Sequence, residues 1–315
     1  MRIYWEGMIT AILLLSSLQA MAADAPAAAA APTVTAPIRL IVIDEKTTRT
    51  WGPLPWPRDR HAQLVSLLDR AGVRAIALRF YYRDARGDAG DNALVAAAKK
   101  CGRVFTEIGK APGVEGWNPT DTWLDAAALK TTGKAPAKLF ASDGLQVPFE
   151  DLARAIRGVG SIDVMVNRQK KLQGLPLVIT CRGRLFPSLA LRLFLYLSDL
   201  EGQALAFEQG RITRYGFLPG TEARALLLGR THASLDAYGC ALVNLTAPGR
   251  GYPVDSFVDV LTGKIRPSVY QGAVVIVGAQ TPELDVETST GPKSGLELVA
   301  DQLTALFRFA EDPGK

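Results

Sequence analysis

Charged and amide side chains follow several short apolar segments that are typical of buried parallel strands. Asp44, Arg79 and Gln280 each stand at or near the end of such a segment. Ligands of open parallel sheets bind beyond the carboxyl ends of the strands, so we expect these side chains to meet at one edge. The same reasoning places further polar residues there: Glu45, Asp84, Glu283, Asp285, Glu287, Thr288 and Ser289.

Arginine gives this edge a specific chemistry. The Arg79 guanidinium can offer a planar, bidentate donor to a carboxylate or a phosphate. Asp44 would then orient Arg79 or accept hydrogen bonds from the ligand itself. In the alternative interpretation, Asp44 and Arg79 form a structural ion pair that satisfies two partly buried charges. The sequence leaves both roles open.

A second candidate site lies in the proline-rich segment 51–57 (WGPLPWP) and the arginine after it. Trp51, Trp56 and Arg58 could form a binding lid, because aromatic and guanidinium planes in a stiff loop can cover a ligand. Alternatively, Trp56 closes the sheet edge and Arg58 caps a neighbouring loop.

Several kinds of catalytic or metal site are absent from the sequence. It contains no P-loop, no GxGxxG after a strand, and no GxSxG, HExxH or EF-hand motif. His61 and His232 are its two histidines, too few for a typical zinc site. We therefore predict no metal and no cofactor. Cys101, Cys181 and Cys240 each lie in an apolar segment and are expected to be buried free thiols, although one pair could form a disulfide.

Composition and the first residues indicate an exported globular protein. The 315 residues are 48% hydrophobic and 21% charged, with a net charge of +5, too small to imply nucleic-acid binding. Residues 1–22 resemble a signal peptide, with an apolar stretch at 8–18 and the Ala20-Met21-Ala22 cleavage pattern; an uncleaved anchor is the alternative. Residues 23–37 form an Ala/Pro linker. We expect residues 38–310 to form one periplasmic domain.

The apolar pattern predicts an α/β fold, with a mostly parallel sheet flanked by helices and an antiparallel middle extension. Strands are expected at 38–44, 73–82, 104–108 and 273–277, and helices at 91–100, 187–200, 257–261 and 295–309. Segments 161–167 and 175–181 should pair as a hairpin, and 214–218 is a further strand candidate. Segment 109–144 is expected to be irregular.

Three stretches, in this order and spacing, resemble the extracellular sensory domains called CHASE type two. They are Ile41–Leu78 (IVIDEKTTRTWGPLPWPRDRHAQLVSLLDRAGVRAIAL), Asn244–Ala279 (NLTAPGRGYPVDSFVDVLTGKIRPSVYQGAVVIVGA) and Gly291–Leu303 (GPKSGLELVADQL). The similarity runs from about residue 38 to 308. Arg79 stands where the family generally has an acid, and Val299 and Asp301 replace a histidine and an asparagine of its last-helix motif.

The resemblance implies a ligand-sensing module without catalytic activity. Such domains usually precede membrane helices and a cytoplasmic cyclase, kinase or phosphodiesterase, and this chain continues only to Lys315. We therefore expect a free-standing periplasmic sensor that binds a small, possibly anionic ligand and signals through a membrane-bound partner. Glu297 matches a position of the family motif and could reach the pocket or bind a loop amide.

Two other functions stay open. One is a carboxylate-based hydrolase that uses paired acids such as Asp44 and Asp285. The other is an assembly factor that acts through a protein surface alone. The predicted ligand-binding residues of the sensor are Asp44, Trp56, Arg58, Arg79, Gln280, Asp285 and Glu297.

Overall fold

The computed structural model describes residues 36–110, 122–136, 138–212, 220–229, 231–236, 238–280 and 282–311. Its helices are α1 (Glu45–Trp51), α2 (Asp59–Arg70), α3 (Ala89–Cys101), α4 (Thr122–Ala127), α5 (Glu150–Ala155), α6 (Leu189–Leu197), α7 (Phe257–Leu261) and α8 (Gly295–Glu311), with 3₁₀ turns at Pro267–Tyr270 and Pro282–Leu284. Within these described ranges, no helix combines the length and the apolar character that a bilayer span requires.

Most of the strands are short. In chain order they are β1 (Ile38–Ile43), β2 (Ala75–Arg79), β3 (Val104–Lys110), β4 (Thr131–Thr132), β5 (Phe140–Ser142), β6 (Leu145–Gln146), β7 (Gly158–Ser161), β8 (Met165–Val166), β9 (Leu172–Pro176), β10 (Val178–Cys181), β11 (Arg184–Pro187), β12 (Leu205–Ile212), β13 (Gly220–Leu228), β14 (Thr231–Ser234), β15 (Cys240–Ala241), β16 (Val254–Ser256), β17 (Val274–Ala279), β18 (Val286–Thr288) and β19 (Gly291–Lys293).

The central sheet combines strands from both ends of the chain. Its order is β16-β1-β17-β2-β3-β7, and each of these neighbouring pairs is parallel. β6, which pairs with the end of β3, is antiparallel. β17 therefore lies between β1 and β2, although it is formed almost 200 residues later in the chain. The predicted mostly parallel α/β fold is confirmed.

Helices cover both faces of this sheet. Side chains such as Ile41, Ile76 and Val275 pack on one face against α2, α3, α5 and α7. On the other face, the alternate residues Leu40 and Ile276 pack against α6 and α8. A strand buried on both faces has an almost continuous apolar sequence, which is why these strands could be recognised without an alternating pattern.

The middle of the chain forms three small sheets beside the central one. β8, β9 and β15 are antiparallel, as are β10 with β11 and β12 with β13 and β14. The expected hairpin of 161–167 with 175–181 is wrong: Ser161 ends β7 of the central sheet, and β8 pairs with β9. The reason is that β10 is committed to β11 and β5.

The structure confirms the prediction for the cysteines and corrects the one for segment 109–144. Cys101, Cys181 and Cys240 are buried free thiols, as predicted. Segment 109–144 is less irregular than expected, since it contains α4, β4 and β5. The predicted signal peptide, nearly all of the linker and the whole of the candidate strand 214–218 lie outside the described residues.

Candidate functional site

A cleft of about 270 Å³ opens at the carboxyl ends of β2, β3 and β17, where α8 begins. Its walls combine polar, aromatic and backbone groups. They include Arg79, Phe80, Tyr81, Glu107, Asp285 and Gly295. This is the edge at which a parallel sheet is expected to bind a ligand.

An ion pair forms the base of the cleft. Arg79 and Glu107 follow directly after Leu78 and Thr106, which are paired in register on the neighbouring strands β2 and β3. The Arg79 Nε–H donates to Glu107 Oε2 at 3.2 Å. The two side chains are only 16% and 3% exposed, so the pair is shielded from water. Arg79 is therefore paired with Glu107 and not with Asp44.

The two terminal nitrogens of Arg79 remain available. Among the described residues, neither of them has a hydrogen-bond acceptor, and both lie over Gly295 at the start of α8. A Cβ atom at position 295 would clash with Nη1 and lie 2.8 Å from Cζ. Glycine at this position therefore allows the guanidinium to lie against the backbone of the first helical turn.

Replacing Gly295 by alanine should displace the Arg79 guanidinium while leaving the fold intact, because the clashing atoms are the end of a flexible side chain. We expect a change of less than about 1 kcal/mol in the free energy of unfolding, since alanine favours the helix and the Arg79 Nε–H, which is not among the three atoms nearest the added Cβ, can keep its bond to Glu107. Side-chain ¹⁵N NMR of Arg79 and urea denaturation would measure the two effects.

The matched control introduces the same alanine into an Arg79→Ala background. There the clash is absent, so Gly295→Ala should raise the free energy of unfolding by up to about 1 kcal/mol. An unchanged Arg79 signal in the single variant would contradict this account of Gly295.

Burial changes the acidity of the groups in the cleft. It raises the pKa of Glu107 to about 6, against the opposing effect of Arg79, and Asp163 adds to the rise. Partial burial raises the pKa of Tyr81, which is still 55% exposed, with smaller effects of Glu107 and Asp163. The pKa of Asp285 is raised by burial and then by its acidic neighbours, which are Glu297, Glu283 and Glu287.

Asp44 and Gln280 lie at the same edge of the sheet but do not line the cleft. Asp44 caps α1 and accepts hydrogen bonds from Thr47 N and Ser256 Oγ, both at 2.9 Å. Burial opposes its ionisation, but these hydrogen bonds hold its pKa below the ordinary value. Gln280 donates its backbone N–H to Ile43 O at 3.1 Å and exposes its side chain.

Trp56 and Arg58 are buried elsewhere and do not line the cleft either. The Trp56 indole N–H donates to Gly52 O at 2.8 Å. Arg58 donates to Asp91 Oδ1 and to Asp84 O, both at 2.6 Å, and so fixes the loop before α3. In this arrangement both side chains anchor loops.

Glu297 fastens the start of α8. Its Oε2 accepts from Ser294 N at 3.0 Å and from Ser294 Oγ at 2.9 Å, which is a capping box. Its Oε1 accepts from Gly249 N at 2.9 Å. Glu297 thus binds a loop amide and positions α8, whose first residue, Gly295, borders the cleft. The S-x-x-E spacing in the sequence is the signal that indicates this role.

Glu107 and Tyr81 line the cleft but were not among the predicted site residues. Glu107 lies inside the apolar run of β3, where a single acid is itself a signal, because a buried charge needs a partner. Tyr81 packs over Gly109, where an added Cβ would lie 2.9 Å from its hydroxyl oxygen. Within the described ranges, no cluster of three or more His, Cys, Asp or Glu side chains could bind a metal.

Comparison with known proteins gives one family. The model of the CHASE2 domain matches residues 5–315, which is nearly the whole chain. It describes a family of extracellular sensory domains. No curated protein and no solved structure shows a significant match.

Proposed function

The chain belongs to the CHASE2 family of extracellular sensory domains, and on that premise we propose that it is a non-enzymatic sensor whose cleft beside Arg79 binds a small ligand. The observation that carries this proposal is the state of Arg79. It lines a cleft at the carboxyl edge of the sheet, and its two terminal nitrogens have no hydrogen-bond acceptor among the described residues. Such a guanidinium is suited to a ligand with an oxyanion.

The chemistry of the cleft favours binding over catalysis. Arginine stays protonated at physiological pH and cannot act as a general base. Of the two acids considered for a hydrolase, only Asp285 lines the cleft, since Asp44 caps α1. Glu107 has a raised pKa and is the remaining acid of the cleft, but it is 97% buried and bound by Arg79. A hydrolase would show ester, glycoside or phosphate turnover that Glu107→Gln abolishes.

The proposed location is the periplasm. Residues 1–22 would direct export, residues 23–37 would form a tether, and residues 38–310 would be the sensory domain. An apolar stretch followed by a small-residue cleavage pattern supports this division, as does membership of an extracellular family. The signal would pass to a membrane-bound partner.

A route for that signal begins at the β18–β19 hairpin, which lies between Asp285 and the start of α8. Glu287 N donates to Lys170 O at 3.3 Å, and the Lys170 ammonium donates to Glu283 O at 3.3 Å. The first bond joins the hairpin, and the second joins the 3₁₀ turn before it, to the turn between β8 and β9. A ligand that prefers one arrangement of this hairpin would shift the turn with it.

Native mass spectrometry of protein isolated from an exported fraction tests the proposal. We expect a retained small molecule, and we expect Arg79→Ala to lose it because the oxyanion donor is removed. Arg83→Ala is the control, since Arg83 is half-exposed, lies four residues away and does not line the cleft. Retention that is equal in all three proteins would contradict the proposal. A reproducible membrane partner without any bound molecule would favour a protein-only assembly factor.

A further inference from the structure

The charges of the cleft do not suit a simple anion. Arg79 and Glu107 neutralise each other, and Asp285 then leaves the lining with a net negative charge. Glu283, Glu287 and Glu297 lie close enough to raise the pKa of Asp285, so the surroundings add to this charge. The neighbouring lysines are engaged: Lys170 binds Glu283 O and Lys293 binds Asp301.

One wall of the cleft nevertheless supplies hydrogen-bond donors. The terminal nitrogens of Arg79 lie against Gly295, the first residue of the 17-residue helix α8. Ser294 Oγ accepts from Glu297 N at 3.3 Å, whereas the N–H groups of Gly295 and Leu296 have no acceptor among the described residues and carry partial positive charge. The Arg79 guanidinium and the start of α8 are together suited to bind a carboxylate.

Asp285 favours a positively charged group on the ligand. Its side chain is half-buried and has no hydrogen-bond partner among the described residues, while its backbone N–H is bonded to Pro282 O at 3.1 Å. A desolvated carboxylate in an acidic neighbourhood is stabilised by a cation. An ammonium group on the ligand would supply that cation.

We propose that the cleft binds a free amino acid, whose carboxylate pairs with Arg79 and the start of α8 and whose ammonium pairs with Asp285. This rests on the proposed sensory function and names its ligand class. The volume of about 270 Å³ lies just below the range for drug-sized ligands and fits a small metabolite. Phe80, Tyr81 and Leu296 supply apolar surface for a side chain.

Isothermal titration calorimetry with the twenty L-amino acids tests this inference. Each amino acid that binds is compared with its des-amino acid and with its decarboxylated amine. We expect both truncated compounds to bind at least about 10-fold more weakly, because each leaves a charged group of the cleft without its partner. Asp285→Asn should weaken the amino acid about 10–100-fold and the des-amino acid far less.

The matched control is Glu283→Gln. It removes the same charge from the same loop, but Glu283 is exposed and does not line the cleft, so we expect less than about a 3-fold change. Thermal unfolding of both variants shows that they are folded.

The outcomes separate the two proposals. If des-amino acids bind as tightly as amino acids and Arg79→Ala weakens the binding of both, the amino-acid inference is wrong and the sensory function stands. The same holds if no amino acid binds while the isolated protein retains another molecule through Arg79. The absence of any bound or retained molecule would overturn both.

Discussion

Replacing Lys293 by methionine should lower the free energy of unfolding by about 3–5 kcal/mol, because it leaves an unpaired carboxylate in the core. Lys293 and Asp301 form an ion pair with 0% side-chain exposure. The Lys293 ammonium also donates to Thr246 O at 2.9 Å and to Thr246 Oγ1 at 2.7 Å. Asp301 Oδ1 accepts from Tyr252 Oη at 2.9 Å. The network thus fastens the loop containing Thr246 and Tyr252 to α8.

Two matched variants isolate the effect of the unpaired charge. In the double variant Lys293→Met/Asp301→Leu no charge is left unpaired, so it should be more stable than Lys293→Met alone. Arg154→Met breaks the exposed pair with Glu150, whose side chains are 55% and 63% exposed, and should cost less than about 1 kcal/mol. Urea denaturation at pH 7 measures all three. A Lys293→Met loss no larger than that of Arg154→Met would contradict the prediction.

Because of His61, the free energy of unfolding should fall by about 3 kcal/mol as the pH is lowered from about 6.5 to 4. Burial, followed by Arg58, Arg86 and Arg60, lowers its pKa to about 4 from an ordinary 6.5. The unfolded chain therefore binds a proton below about pH 6.5, whereas the folded protein binds it only below about pH 4. The free energy of unfolding falls as the pH is lowered through this window.

Glu107 acts in the opposite direction. Its folded pKa of about 6 exceeds the ordinary 4.5, so the folded protein binds the extra proton between these values. The free energy of unfolding then rises by about 2 kcal/mol as the pH is lowered from about 6 to 4.5. The raised pKa of Asp285 has the same sign. His61 and Glu107 should therefore nearly cancel between pH 4.5 and 6.

Variants of the two residues separate these contributions. As the pH is lowered from 6 to 4.5, the free energy of unfolding of Glu107→Gln should fall by about 2 kcal/mol more than that of the wild type. That of His61→Phe should rise over the same interval. His61 Nδ1 is hydrogen-bonded to Tyr82 Oη at 2.7 Å. Any effect of lost packing or of this lost bond is the same at each pH, so the slope is the readout. Urea denaturation at pH 4.5, 5, 5.5, 6 and 7 gives that slope. Parallel pH profiles of wild type and Glu107→Gln would contradict the assignment.

The sequence predicted those elements whose signals are local. The α7 helix spans the predicted 257–261, and α8 begins at the predicted residue 295. The start of α3 was less well placed, because Asp88 caps it and Asp91 lies in its first turn, where it binds Arg58. A cap and a first-turn acid look alike in the sequence, and the hydrogen bond from Asp91 N to Asp88 Oδ1 at 2.9 Å shows that Asp88 is the cap.

The partner of Arg79 was beyond sequence reasoning because it depends on strand order. With β17 inserted between β1 and β2, Asp44, which follows β1, and Arg79, which ends β2, are separated by two strand spacings, about 10 Å. The adjacent strand β3 presents Glu107 instead. The edge of the sheet could be predicted from parallel strands alone, whereas the groups that share its cleft could not.

A crystal structure of the protein isolated with its retained molecule would show whether the cleft beside Arg79 is the ligand site. We expect the molecule to lie in the cleft, within hydrogen-bond distance of the Arg79 terminal nitrogens and of the backbone at Gly295. A molecule bound elsewhere, over an empty cleft in which Arg79 and Glu107 keep their present positions, would contradict it.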